Sequence, residues 1–134
     1  MRILIVDDDP VCRQALTMYL TLLGDIDAVG SGEAALSAIQ QALAERRPYG
    51  LVFLDIRMPG RDGHSVLEEL RRLEHAAGFA GLAGARVVMV TGIDEPRQVV
   101  RAFRAQADGY LVKPVELPRL RQLLKDLGVL GSAV

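Results

Sequence analysis

Four short runs, Ile3 to Val6, Leu51 to Leu54, Val87 to Val90 and Tyr110 to Val112, are apolar without polar alternation. Half-buried strands alternate with period two, so unbroken apolar runs of this length read as strands covered on both faces. A weaker fifth run lies around Ile26 to Val29. Between the runs the spacing turns helical. Val11, Ala15, Met18, Tyr19 and Leu22 share one predicted face before Gly24, followed by Leu36, Ile39 and Leu43, then Val66, Leu67, Leu70 and Leu73. Val99, Val100 and Phe103 precede a break at Asp108-Gly109, and Leu117, Leu120, Leu124 and Leu127 form a last predicted helix. The order is (βα)5.

Helix starts agree with this reading. Asp9-Pro10 is an N-cap followed by proline in the first turn, Ser31 stands before the second helix, and Asp94-Glu95-Pro96 opens the fourth. Strands separated by helices imply a doubly wound parallel sheet of five strands with helices on both faces. The 134 residues, half of them apolar, suffice for one domain, expected as a core over 1–128 with a short tail at 129–134. A net charge of −1 gives no general attraction to nucleic acid or to a membrane surface. The lone Cys12 has no partner for an internal disulfide, and no run approaches membrane-spanning length, so the reducing cytoplasm is the expected compartment. The segment from His75 to Ala85, rich in Gly and Ala, reads as a lengthened surface loop, with docking as the sharper alternative.

Ligands of such sheets bind at the carboxyl ends of the strands. There the first run meets Asp7-Asp8, the third strand Asp55, the fourth Thr91 and the fifth Lys113-Pro114. Three carboxylates on one rim repel each other unless a hard divalent cation with oxygen ligands relieves them, and Mg²⁺ is the natural choice. Thr91 offers a hydroxyl donor and Lys113 a compact positive charge for a phosphoryl group. Taken singly, an acidic cluster after a strand is more often a helix cap, and Asp9 is assigned to capping. Polar residues at strand ends are mostly solvated. The joint placement of all five groups on one rim favours phosphoryl transfer, where positioning and charge neutralisation carry the catalysis.

Val6-Asp7-Asp8-Asp9-Pro10, Leu54-Asp55-Ile56-Arg57-Met58-Pro59-Gly60-Arg61-Asp62-Gly63, Val90-Thr91-Gly92 and Asp108-Gly109-Tyr110-Leu111-Val112-Lys113-Pro114 resemble the signature segments of bacterial two-component response-regulator receiver domains. The resemblance covers essentially the whole chain. It implies a flavodoxin-like sheet and a signalling switch that catalyses its own phosphorylation and slow dephosphorylation rather than a turnover enzyme. Asp55 would be the phosphoacceptor, served by a histidine kinase or phosphotransfer protein. Mg²⁺, with Mn²⁺ as a substitute, would be held by Asp8 directly, Asp7 through water, Asp55 and the backbone carbonyl of Arg57. Thr91 and Lys113 would contact the phosphoryl group, and the Lys113–Pro114 bond would be cis. Thr91 and Tyr110 would be the switch pair, with the small Gly92 leaving room beside the phosphoryl oxygen.

By the same resemblance, Arg57 and Ile93 stand where the family varies and where side chains can flank the line of attack of water on a phosphoaspartate. Arg97, Arg101 and Arg104 recur at spacings of four and three, and therefore share one side of the fourth predicted helix. The bland reading of that side is a solvated face. The resemblance instead places it on the responsive surface formed with the fifth strand and last helix. There it suits an acidic partner, or a second copy of the chain if groups such as Glu116 meet the arginines in a phosphorylation-dependent homodimer. Two rival folds fit the sequence in part. A haloacid-dehalogenase-type phosphatase is matched by Asp7-x-Asp9 but leaves Asp55 to Gly63 without a role, and a flavodoxin-like cofactor binder lacks a phosphate loop after the first strand. The sequence names neither the kinase nor the output, and it fits a stand-alone regulator or a piece of a longer protein equally well.

Overall fold

The computed structural model describes residues 1–92, 97, 100–101 and 105–129. Five parallel strands run in the order β2-β1-β3-β4-β5: β1 (Arg2–Val6), β2 (Asp25–Val29), β3 (Leu51–Asp55), β4 (Arg86–Thr91) and β5 (Gly109–Val112). Three helices are α1 (Pro10–Leu20), α2 (Gly32–Ala44) and α3 (Gly63–Ala77), and a C-terminal helix spans Leu117–Asp126. The five strands and their parallel pairing match the sequence pattern. The unbroken burial of β1, β3 and β4 beyond their first residues follows from their inner places in the sheet. The edge strands differ from expectation. β2 is mostly exposed, and in β5 Tyr110 is half-buried and Val112 exposed, because an edge strand has a neighbour on one side only.

The period-two pleat sorts the core into two layers. Leu4, Val6, Val52, Leu54, Val87 and Met89 face α2 and α3, packing with Leu36, Ile39, Val66, Leu67 and Leu70. Ile3, Ile5, Leu51, Phe53, Val88, Val90 and Leu111 face α1 and the C-terminal helix, against Leu16, Leu20, Leu120 and Leu124.

Capping follows the sequence closely. The Asp9 carboxylate accepts from Val11 N–H at 3.0 Å and the Ser31 hydroxyl from Ala34 N–H at 3.1 Å. Asp62 caps α3 through Ser65 N–H at 2.9 Å, and Gly78, at φ +85°, closes its far end in the left-handed conformation that glycine tolerates.

Three further expectations need correction. The α1 stripe of Val11, Met18, Tyr19 and Leu22 faces outward, with Leu22 96% exposed. The helix instead buries Leu16 and Leu20, with Cys12 and Leu23 packed beside them, a stripe displaced by one residue. The segment from His75 to Ala85 is only partly loop, since α3 continues to Ala77 and a 3-10 turn occupies Gly81–Ala83. Val100 is helical but exposed, not core. Ile93, Asp94-Glu95-Pro96, Val99, Phe103, Arg104 and most of the tail lie outside the described residues.

That Gly- and Ala-rich segment is tied down by a half-buried ionic network around the buried Glu74, at the amino-terminal ends of β4 and β5. Arg71 donates to Glu74 Oε1 at 2.8 Å, to Ala85 O at 2.8 Å, to Asp108 Oδ2 at 3.1 Å and to Gln106 O at 2.6 Å. Glu74, 2% exposed, accepts from Ala85 N–H, and Asp108 accepts from Val87 N–H at 2.7 Å. Removing one partner of such a buried pair leaves an uncompensated charge. Arg71→Met is therefore expected to cost about 2–4 kcal/mol in denaturant unfolding. Adding Glu74→Met should recover part of that loss, and a double variant no more stable than the single would refute this account.

Candidate functional site

Strand parity builds the site. Ile3, Ile5 and Asp7 continue one face of β1, Leu51, Phe53 and Asp55 the same face of β3, and Leu111 and Lys113 that of β5. The parity leads all three ionisable groups out over the layer of α1 and the C-terminal helix. Lys113 Nζ there lies 3.1 Å from Asp7 Oδ1, 3.0 Å from Asp7 Oδ2 and 3.2 Å from Asp55 Oδ2. Asp7 and Asp55 are almost wholly buried, whereas Asp8 is exposed. Carboxylate oxygens of Asp7, Asp8 and Asp55 all lie within 4.8 Å of one another.

Local hydrogen bonds fix these side chains. Asp9 N–H donates to Asp7 Oδ1 at 2.9 Å, and Arg57 N–H donates to Asp55 Oδ1 at 3.1 Å. Asp7 Oδ2 is buried and receives no aligned hydrogen bond, so its short distance to Lys113 is a contact of charge that leaves lone-pair density for a cation. A trio of hard oxygen donors with one of them buried and unsatisfied fits Mg²⁺ chemistry. Gly63 opens α3 directly beneath Asp55, where a Cβ would fall 2.3 Å from the Asp55 carbonyl oxygen, so the close approach of helix to strand requires glycine.

The two buried carboxyls titrate differently. Burial and the negative charge on Asp7 raise Asp55 to about 6, outweighing Lys113 and the Arg57 N–H. Burial also opposes charge on Asp7, but hydrogen bonds from the Cys12 thiol, the Asp9 N–H and Lys113 prevail and hold it below the ordinary carboxyl value. Burial and the adjacent Asp7 push the Cys12 thiol up to about 12, so it stays protonated as a donor. For Lys113 burial favours the neutral amine, yet the bond to Asp7 and the charges of Asp55 and Asp7 win and raise its pKa.

Thr91 is buried at the end of β4 and Tyr110 half-buried on β5, both on the opposite face of the sheet from Asp55 by parity. Lys113 N–H donates to Thr91 O at 2.7 Å, and the Lys113–Pro114 bond is cis. Arg57, Arg97 and Arg101 are exposed. Arg101 and Arg57 both line an open cavity of about 420 Å³ beside the site, together with His64 and Asp62. The sequence reading gave three residues of this neighbourhood no role in the site: Cys12, read only for its lack of a disulfide partner, Arg13 and the buried His64. Cys12 and Arg13 sit one turn into α1 on the side facing the acidic pair, a signal hidden by the misassigned face of that helix.

The model of the response regulator receiver domain matches residues 3–125. The chain belongs to that family. It is 32% identical over 127 residues to the transcriptional regulatory protein AruR of Pseudomonas aeruginosa, with 94% of this chain and 48% of that protein aligned. It is 38% identical over 130 residues to the transcriptional activator protein IrlR of Burkholderia pseudomallei, at 93% and 51% coverage. The chain thus spans about half the length of these two relatives. Among solved structures, the receiver domain of the histidine kinase CKI1 from Arabidopsis thaliana, complexed with Mg²⁺ and BeF₃⁻, superposes with a TM-score of 0.82 at 25% identity, covering 95% of this chain and 89% of that one. The phosphatase reading falls with the family, and Asp9, its second aspartate, spends its carboxylate on the α1 cap. No helix among the described residues is long and apolar enough to cross a membrane.

The raised Asp55 carries a pH signature. A folded-state pKa near 6 against about 3.9 unfolded means the folded metal-free protein binds the extra proton between those values. The contribution of Asp55 to stability therefore falls as pH rises through that window and stays low above it. In chelator, Asp55→Asn should stabilise the protein above pH 6 by on the order of 1–3 kcal/mol, the gain fading towards pH 4. Thermal melts across pH check it, and a pH-independent difference would point to packing instead of charge.

Proposed function

We propose that this chain is a phosphorylation-dependent signalling switch in which Asp55 accepts a phosphoryl group from a histidine kinase or phosphotransfer protein in a Mg²⁺-dependent reaction. The observation that carries the reading is Lys113 bridging the buried Asp7 and Asp55 while Asp8 completes an acidic trio. The Mg²⁺ and BeF₃⁻ named for the similar plant receiver domain support the same chemistry. Asp7, Asp8 and Asp55, with the main-chain carbonyl of Arg57, would hold the metal, which when bound neutralises charge on phosphoryl oxygens. The carboxylate of Asp55 attacks phosphorus, forming an acyl phosphate as the donor's bond to phosphorus breaks, and a donor imidazole leaves as the neutral base after taking up a proton. Lys113 then shifts charge from Asp55 to the new phosphoryl oxygens, and the Thr91 hydroxyl donates to one of them.

On this reading residues 1–134 are one receiver domain, with 1–128 as its core, working in the cytoplasm. Thr91 and Tyr110 relay phosphorylation to the surface bearing Arg97 and Arg101, with β5 and the C-terminal helix; Arg104, expected on the same side by spacing, lies outside the described residues. That surface meets an acidic partner or a second copy of the chain. Arg57 and Ile93 shield the acyl phosphate from water.

Incubation with acetyl phosphate and Mg²⁺ should add one phosphoryl group by intact mass. Asp55→Asn should abolish the addition, and Lys113→Ala should impair it or the response to it. Asp8→Asn should weaken Mg²⁺ binding in calorimetry. A label that persists in Asp55→Asn would sink the acceptor assignment. For the output face, beryllofluoride should shift NMR signals of Arg97, Arg101 and Tyr110, whereas shifts confined to the Asp55 pocket would return the arginines to a solvated face.

A further inference from the structure

We propose that Arg13 is a positioning residue for the cation site, fixing the Asp7–Asp8 peptide from the first turns of α1. This rests on the reading of Asp7 and Asp8 as cation ligands. β1 pairs in register with its neighbours only as far as Val6. Asp7 N–H still reaches Val29 O at 3.1 Å, but the Asp7 carbonyl projects past the ladder from a residue that is 1% exposed. A buried carbonyl without a partner is costly, and Arg13 Nη1 supplies one at 2.6 Å. The guanidinium reaches it across the bare face of Gly30, where a Cβ would stand 3.1 Å from the same Nη1.

The arginine is itself anchored. Its N–H donates to Asp9 O at 3.0 Å, and its carbonyl accepts from the Thr17 hydroxyl at 2.7 Å. The carbonyl it grips belongs to the planar unit joining Asp7 to Asp8, so holding that oxygen sets the direction in which Asp8 leaves. Asp9 N–H pins the Asp7 carboxylate from the same turn. Asp8, exposed, therefore owes its approach to the other two carboxylates to the backbone beneath it.

Two roles of Arg13 oppose each other in sign. As a nearby positive charge it repels a divalent cation, and its loss should tighten Mg²⁺ binding. As a positioning residue it pre-organises the ligands, and its loss should loosen binding. The geometry points to the second. Calorimetric titration of the full chain with MgCl₂ should show Arg13→Gln binding about tenfold more weakly, in the range seen when groups supporting metal ligands are removed. Arg13→Lys, which keeps the charge but lacks the planar fork, should fall between wild type and Arg13→Gln. Labelling of Arg13→Gln by acetyl phosphate should need more Mg²⁺ for half-saturation yet reach the wild-type rate at excess metal.

Tighter Mg²⁺ binding by Arg13→Gln would overturn the proposal in favour of simple repulsion. Unchanged affinity with a lower melting temperature in chelator would reduce Arg13 to a structural cap. Should Arg13→Gln not fold, Arg13→Lys decides, since affinity equal to wild type would overturn the proposal. Asp8→Asn is the separate control: unaltered Mg²⁺ affinity there would remove the cation reading and this proposal with it, whereas weakened binding there with unaltered affinity in Arg13→Gln would remove the proposal alone.

Discussion

Like charges crowd the carboxyl rim of this sheet, and the contact of Lys113 with Asp7 and Asp55 is what makes that crowding tolerable. Two nearly buried carboxylates on neighbouring strands would otherwise repel in a medium that screens them poorly. The relief is incomplete. Asp7, with donors from Asp9, Cys12 and Lys113, is held ionised, while Asp55 bears the remaining penalty as a pKa near 6. The pair is thus asymmetric by construction: one carboxylate is a fixed anion, and the other gains when further positive charge arrives or when its own charge is removed by forming an acyl phosphate. A protein built only for stability would place apolar residues there.

The topology decides which residues meet. Adjacent placement of β1 and β3 brings Asp7 beside Asp55, and β4 stands between β3 and β5. Lys113 must therefore reach past the end of β4, and its own N–H is anchored there on Thr91 O. Strand order and pleat parity together do what no single segment does. Each of the three charged groups is an ordinary polar residue at the end of an apolar run until the sheet aligns those ends.

Much of this was legible because uninterrupted apolar runs, capping residues and strand-end polar groups are local signals. β1, β3 and β4 are buried as their composition requires, and Asp9 and Ser31 cap the helices they precede. The face of α1 was not legible, for a physical reason. Val11, Ala15, Met18 and Leu22 satisfy helical spacing as well as Cys12, Leu16, Leu20 and Leu23 do, and periodicity alone does not choose between two stripes one residue apart. The sheet makes the choice by facing Leu16 and Leu20 with Ile3, Ile5 and Phe53. The Arg71, Glu74 and Asp108 network was invisible likewise, since charged residues on a helix read as solvated. Its signal lay in the neighbouring Gly- and Ala-rich segment, whose backbone groups need donors and acceptors that its own side chains lack.

Parity also puts the acidic pair and Tyr110 over different layers of the fold. Asp7, Asp55 and Lys113 lie over one layer, whereas Met89, Thr91 and Tyr110 belong to the other, with Met89 directly opposite Tyr110 in register. On the proposed function, a change at Asp55 must cross the sheet, and Thr91 is the residue proposed to carry it. Its carbonyl holds the Lys113 N–H, while by pleat parity its position shares the face of Met89 and Tyr110. Tyr110 sits on an edge strand, half-buried, without a further strand to hold its outer flank. A residue at an inner strand position, packed as tightly as Phe53, would have no second position to move into. An edge position leaves that freedom, and the proposed switch role of Tyr110 draws on it.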